Sequence, residues 1–446
     1  MSHSKGTQTS KSKLTRRSFL KRTAALSAGA AAFPMIVPSS ALGLGGATAP
    51  SERLVMGCIG VGSQGTGNMR GFLRRDDLQI TCVADVDRGH RENAQKIVNE
   101  TYDETDGCAG YNDFRELLAR DDLDVVSIAV PDHWHSLVAI AAANSGRDIY
   151  AEKPLALTIP EGRAMIDSVN KNKVVWQTGS WQRSRRQFRA ACEIVRNGRI
   201  GQVHTVKVGL PTGKPIGPQP VMPIPDGFDY DFWLGPAPYE PYTEKRCHWD
   251  FRWILDYSGG QLTDWGAHHC DIANWGMDTE ATGPTEIEGT GIFPREGLWD
   301  AATDYYIVNR YPKNVSTVSP DGFTMIVSNA YQMGARFEGT DGWVHVDRGG
   351  WSASDEEIKG EPIGAGDIKL YDSKDHAGNF VECVRTRKLT ITPIEVAHHA
   401  IAIAHLGNIS MRLGRKVHWN PDAEHFVDDP VADRMLSRSM RGAWHV

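Results

Sequence analysis

The stretch that most constrains this chain is Leu54 to Gly65. An apolar run, Leu-Val-Met-Gly-Cys-Ile, leads directly into Gly60-Val61-Gly62-Ser63-Gln64-Gly65. A strand that turns sharply into a helix needs a glycine at the turn, a second where backbone approaches a pyrophosphate, and a third where helix packs on strand. The helix N-terminus then presents unpaired N–H groups to the phosphates. Gly60, Gly62, Ser63, Gln64 and Gly65 are therefore candidate cofactor-binding residues, and Thr66 to Leu73 is expected to be helical. A second apolar run, Leu78 to Ala84, ends at Asp85, 25 residues after Gly60. There a dinucleotide domain places a carboxylate on the adenosine ribose. Val86 and Arg88 follow. The carboxylate favours NAD, while Arg88 could accommodate a 2′-phosphate, so NADP stays open.

Alternation of strand and helix continues. Asn112–Ala119 reads as a helix, and Asp124–Val130 as a strand buried on both faces and stopped by Pro131. Ser136–Ser145 reads as an alanine-rich helix, and Asp148–Ala151 as a strand running into Glu152-Lys153-Pro154. Pro160–Lys171 is an expected helix and Val174–Thr178 an expected last strand. The pattern predicts a parallel, doubly wound sheet over 51–178, with ligand at the strands' carboxyl ends. From residue 179 a helix ends near Gly198 and the texture changes. Strand patterns appear at 203–210, 323–329, 335–338 and 343–347, predicting an open, mainly antiparallel sheet in an α+β domain over 179–446. Pro211–Pro241 reads as a long surface excursion, and helices are expected at 379–387 and 394–413.

Residues 1–49 read as a twin-arginine export signal. Arg16-Arg17 precedes an alanine-rich, weakly apolar stretch, and Ala47-Thr48-Ala49 forms a small-residue cleavage site. The segment implies dealings with the twin-arginine machinery and a periplasmic location. It holds seven Lys/Arg and no acid, so the remainder carries 42 basic and 55 acidic side chains, a net of -13. That balance argues against nucleic acid or an anionic membrane surface as partner. No apolar run is long enough for a membrane anchor. Seven widely spaced cysteines without C-x-x-C imply no disulfide framework or zinc finger.

Two groups carry chemistry. Lys153, at a strand end beside an oxidised nicotinamide, would meet a like charge that eases loss of its own proton, suiting it to accept the proton of a hydroxyl being oxidised. The second group is Asp264-Trp265-Gly266-Ala267-His268-His269-Cys270-Asp271. On a helix, Asp264 and His268 lie one turn apart and could orient each other as an acid–base pair. Without a third well-spaced ligand, no metal is expected. Trp249, Phe251, Trp253, Tyr257 and Trp265 could face a sugar or simply fill a core. Arg252, Trp253, Trp265 and His269 are carried as candidate substrate contacts.

These residues together resemble the glucose–fructose oxidoreductase / inositol dehydrogenase family (Gfo/Idh/MocA). The resemblance rests on the glycine loop, Asp85, Pro131-Asp-His-Trp-His135, Glu152-Lys153-Pro154, and Asp264 with His268, and covers nearly all of 51–446. Cys383-Val-Arg and Ala404-His-Leu-Gly-Asn are similar to a bacterial, often exported subgroup. The resemblance implies a Rossmann domain plus an open-sheet domain that also forms homo-oligomers, dimers or tetramers. It implies that Lys153 touches nicotinamide and substrate, Glu152 the ribose, and Pro131 and His135 the cofactor wall, with Pro154 also among the cofactor-binding residues. It implies Asp264 and His268 complete the catalytic set, with Trp181, Gln182 and Arg183 bordering cofactor or substrate.

The expected activity is hydride transfer between a hydroxyl carbon of a sugar, polyol or glycoside and a tightly held nicotinamide, with Lys153 or His268 taking the proton. A redox-neutral glycosidase or lyase using transient sugar oxidation is the alternative. A sugar-binding protein without chemistry is the third reading. Free NAD is scarce outside the cytoplasm, so the cofactor is expected to be loaded before export and kept.

Overall fold

Residues 48–360 and 363–446 are described by a computed structural model; the twin-arginine motif of the expected signal lies outside them. Residues 53–446 form one unit. Its first sheet comprises β1 (Leu54–Ile59), β2 (Leu78–Ala84), β3 (Ala109–Tyr111), β4 (Val125–Ile128), β5 (Asp148–Ala151) and β6 (Trp176–Thr178). The order is β3-β2-β1-β4-β5-β6 and every pairing is parallel. β4 and β5 are buried throughout, which is why they read as unbroken apolar runs. Strand order reverses between β1 and β4, so the crevice of a doubly wound sheet opens there.

Two helix starts that shape the crevice differ from expectation. The helix after the glycine loop begins at Ser63, inside the loop, with Gly62 as its N-cap. The next one facing the crevice spans Asp132–Asn144, four residues earlier than its alanine-rich core, because Pro131 caps it and Trp134 N–H bonds back to the Pro131 carbonyl. Asp132, His133, Trp134 and His135 are thus buried on the first turn.

The second sheet has nine strands: β7 (Val203–Gly209), β8 (Glu286–Ile292), β9 (Asp304–Tyr311), β10 (Phe323–Ser328), β11 (Gly334–Gly339), β12 (Trp343–Asp347), β13 (Gly350–Ala353), β14 (Val417–Asn420) and β15 (His425–Phe426). The order is β13-β12-β11-β7-β10-β9-β8-β14-β15, and β7 with β10 is this sheet's one parallel pair among the described residues. Helices Arg186–Arg196, Gly266–Met277 and Ile394–Leu413 pack together on this sheet. β8 escaped the sequence reading because Gly289 and Gly291 dilute its pattern. Both lie under the last of these helices, where a Cβ on Gly289 would come within 2.8 Å of Met411 Cγ.

The proline-rich excursion is only partly a surface loop. Val221 and Ile224 are exposed, but 227–234 docks on the first domain. Arg88 N–H donates to the Gly227 carbonyl and Asp229 N–H to that of Val86, while Asn112 donates to the Asp229 carboxylate. Among the described residues no helix is long and apolar enough to cross a membrane, and all seven cysteines are buried and free.

Candidate active site

A cavity of about 670 Å³ runs along the crevice from the glycine loop and Asp85 to Asp264 and His268. The loop that opens it tolerates no side chains at two points. Gly60 has φ +77°, and a Cβ there would sit 2.6 Å from the Ala129 carbonyl oxygen; one on Gly65 would sit 1.9 Å from the Gly60 oxygen. Asp85 accepts the Val61 N–H at 2.8 Å and the Asp87 N–H at 2.9 Å, fastening the loop and leaving lone pairs for a ribose diol. Val86 lines the cavity beside it. The cradle at Gly60–Gly65, the helix N-terminus at Ser63 and the Asp85 carboxylate fit a dinucleotide. Arg88 does not line this end: its guanidinium packs on Gly227 under the docked excursion. Asp87, His90 and His248 gather at the rim, their ligand-type atoms within 4.8 Å of one another.

Midway, Glu152 accepts Gln64 Nε2 at 3.1 Å and Asn68 Nδ2 at 2.9 Å, so the glycine-loop helix and the end of β5 hold each other. His135 stands behind the wall, outside the cavity lining. Its Nδ1 lies 2.6 Å from the Pro154 carbonyl and its Nε2 2.9 Å from that of Val130, tying the ends of β4 and β5. Pro154 likewise stays out of the lining, while Pro131 is in it.

At the far end Lys153 Nζ meets Asp264 Oδ1 at 2.6 Å. Burial alone would raise the Asp264 pKa, but Lys153, Arg252 and Arg348 outweigh it and hold the carboxyl below its usual range. His268 borders the same space between Trp181 and Trp265. Burial, then the charges of Lys153 and Arg348, push its pKa well down, leaving a neutral imidazole. Its Nδ1 has no hydrogen-bond partner among the described residues. The expected Asp264–His268 pair therefore shares a cavity but not a hydrogen bond, because the lysine of the other domain takes the carboxylate. Asp132, from the same wall, receives the Ser258 hydroxyl, and burial pushes its pKa up to about 7.

Residues 54–180 match the profile of the Gfo/Idh/MocA oxidoreductase family's NAD-binding Rossmann fold, and 212–446 match that of its C-terminal alpha/beta domain. The chain belongs to the Gfo/Idh/MocA oxidoreductase family. It is 29% identical over 167 residues to a Myo-inositol 2-dehydrogenase of Thermotoga maritima, a match covering 37% of this chain and 47% of that protein. It is 31% identical over 208 residues to a Glycosyl hydrolase family 109 protein of Shewanella pealeana, covering 43% and 44%. The chain thus spans about half the length of the curated relatives it matches. Its fold is shared with an aldose-aldose oxidoreductase from Caulobacter crescentus, with TM-score 0.59 and 20% identity over 82% of this chain and 99% of that one.

Within this family fold, three further expected contacts lie elsewhere. Arg183 is 2% exposed and grips both oxygens of Asp271 at 2.8 Å while also reaching Glu280. Its guanidinium is committed to these two carboxylates and lies outside the cavity lining. Gln182 is buried beside it, outside the lining. His269 is fully buried, stacked on Trp265 at 5.6 Å, and burial pushes its pKa down to about 3. It backs Trp265 and does not face the cavity. Trp181, Arg252, Trp253 and Trp265 do line it. The sequence reading missed Phe232 and Trp233, from the docked excursion, and Arg348, from the turn between β12 and β13. Asp-Arg-Gly-Gly at 347–350 signals that turn, since Asp347 caps the Gly349 and Gly350 N–H groups, but nothing in it signals proximity to Asp264.

Proposed function

We propose that this chain is an NAD-dependent oxidoreductase acting on a hydroxyl carbon of a sugar, polyol or glycoside. The observation that carries the reading is the 2.6 Å Lys153–Asp264 contact beside a neutral His268 whose Nδ1 has no hydrogen-bond partner among the described residues, at the end of a crevice shaped for a dinucleotide. NAD supplies the hydride acceptor. Asp264 pins the Lys153 ammonium, which donates a hydrogen bond to the reacting oxygen and stabilises negative charge developing there. His268, neutral and therefore with one unprotonated ring nitrogen, accepts the hydroxyl hydrogen. Asp132, with a pKa near neutrality, holds a proton in the same wall. Trp253 lines the same space and offers apolar surface to a sugar ring, whereas the rings of Trp181 and Trp265 carry the Arg348 guanidinium.

Similarity to a family 109 glycosyl hydrolase supports a second reading, redox-neutral glycoside cleavage. Transient oxidation by NAD would acidify the neighbouring C–H, elimination would release the aglycone, water would add to the unsaturated sugar, and return of the stored hydride would restore the hydroxyl. Export by the twin-arginine route, a periplasmic location, a cofactor kept through each turnover and a homo-oligomer belong to the same proposal. They rest on Arg16-Arg17, the cleavage-type site at 47–49 and the family's second domain. Releasing the cofactor from natively purified protein, identifying it by mass and scoring a glycoside panel for both reduced nicotinamide and freed aglycone tests both readings. Protein that neither carries nor binds NAD sinks both; aglycone release without net reduction selects the second.

A further inference from the structure

The substrate end of the cavity carries positive charge that the protein only partly answers. Arg252 is half-buried with its guanidinium carbon 3.8 Å from the Trp249 ring centroid, and its Nε is buried without a partner among the described residues. Arg348 stands at the mouth between Trp181 and Trp265, 4.6 and 4.2 Å from their centroids. Neither side chain has a carboxylate within ion-pair distance among the described residues. The acids near them are engaged: Asp264 by Lys153, and Asp132 by Ser258. Lys214 lines the same space and adds a further cation.

Stacking on an indole fixes the plane of a guanidinium but leaves its in-plane N–H donors free. Arg forks of this kind match a carboxylate or phosphate in a bidentate way. The dinucleotide does not need them: its pyrophosphate is served by the helix N-terminus at Ser63, and a 2′-phosphate would lie at Asp85, the opposite end. Asp264 offsets part of this charge from a distance, but it is in contact with Lys153, and neither arginine has a carboxylate in ion-pair reach among the described residues.

Resting on the oxidoreductase reading, we propose that the sugar taken by this site bears an oxyanionic substituent, a carboxylate or a phosphate ester, held by Arg252 and Arg348. The group fixes which hydroxyl faces Lys153 and His268, so the two arginines set specificity and do not take part in the proton transfer.

The test uses full-length protein loaded with NAD and measures affinity by tryptophan fluorescence and calorimetry. The probes are glucuronate and galacturonate against glucose and galactose, with glucose 6-phosphate as the ester arm. The expected result is roughly 10- to 100-fold tighter binding of an oxyanionic sugar than of its neutral parent. Added salt should narrow that ratio. Arg252→Gln and Arg348→Gln should shrink it further, and Arg348→Lys should restore it only in part. Preference for uronates over the phosphate ester assigns the group as a carboxylate, and the reverse assigns it as an ester. Neutral sugars binding as tightly as charged ones, no oxyanion-dependent binding at all, or a ratio unmoved in both glutamine variants overturns the proposal. Because NAD binding is measured first in the same samples, its loss marks failure of the oxidoreductase reading, whereas NAD binding without charge discrimination marks failure of this inference alone.

Discussion

The two ends of the cavity are built in opposite ways. The dinucleotide end comes from contiguous sequence: strand, glycine turn and helix within 54–73, with Asp85 one strand later. It is held by backbone, through Val61 N–H on Asp85 and glycines that exclude any Cβ. The substrate end is assembled from Lys153, Asp264, His268, Arg252 and Arg348, contributed by several elements of both sheets' surroundings, and is held by side-chain charge. A backbone-built end specifies a cofactor that every member of such a fold can share. A side-chain-built end can be altered one residue at a time without disturbing the cofactor.

The largest expected effects come from breaking the backbone-built end. Gly65→Val places atoms on the Gly60 carbonyl, and a misplacement of even about 1 Å costs on the order of 100-fold in activity; dinucleotide binding, followed by calorimetry, should be lost as well. Lys153→Ala breaks the other end alone. Turnover should fall roughly 100- to 10,000-fold while NAD affinity stays within a few-fold of wild type. Equal loss of cofactor binding in both variants would erase the distinction between the ends.

Arg183→Met separates structure from recognition. Removing one partner of a buried ion pair costs about 3–5 kcal/mol, so the denaturation midpoint should drop sharply. The folded fraction at low temperature should keep its substrate KM, because Arg183 faces Asp271 and Glu280 and not the cavity.

Acid should also act through stability. Burial pushes the pKa values of His133, His376 and His405 down to about 4 and that of His269 to about 3. Below the ordinary histidine range near 6.5 the unfolded chain takes protons that these folded sites refuse, so stability falls as pH drops from there toward 4. Asp132 works in the opposite sense: its pKa of about 7 lets the folded state bind a proton the unfolded chain does not, offsetting one histidine. Each uncompensated proton is worth ~1.4 kcal/mol per pH unit, so denaturant titrations at pH 7 and 5 should differ by several kcal/mol. The smallest effect belongs to the docked excursion. Phe232→Ala, removing one aromatic wall, should weaken NAD roughly two- to tenfold.

The same contrast explains what could be read from sequence. The glycine loop, Asp85 and the strand ends at Pro131 and Glu152–Pro154 were legible because local backbone geometry demands those residue types. Arg348 was not, because only packing of the second sheet brings a β12–β13 turn to Asp264. Arg183 and His269 sit next to cavity residues in sequence, yet the residues beside them decide where they point: Asp271 and Glu280 capture one, and the Trp265 ring covers the other. The single helical turn expected between Asp264 and His268 is broken at Trp265, with Asp264 closing the short helix Gln261–Asp264 and His268 in the next, Gly266–Met277; nor could spacing reveal that Lys153 from the first domain claims the acid. β8 hid because its glycines serve helix packing and not strand propensity.

The central claim is that one cavity holds NAD at its backbone-built end and reduces it from a sugar at its charged end. Mass analysis of cofactor released from natively purified protein, with reduced-nicotinamide absorbance recorded on adding sugars to wild type and Lys153→Ala, tests this directly. The account predicts NAD in both proteins and a sugar-dependent reduced-nicotinamide signal in wild type only. Wild-type protein without any nicotinamide dinucleotide, or an undiminished signal in Lys153→Ala, would contradict it.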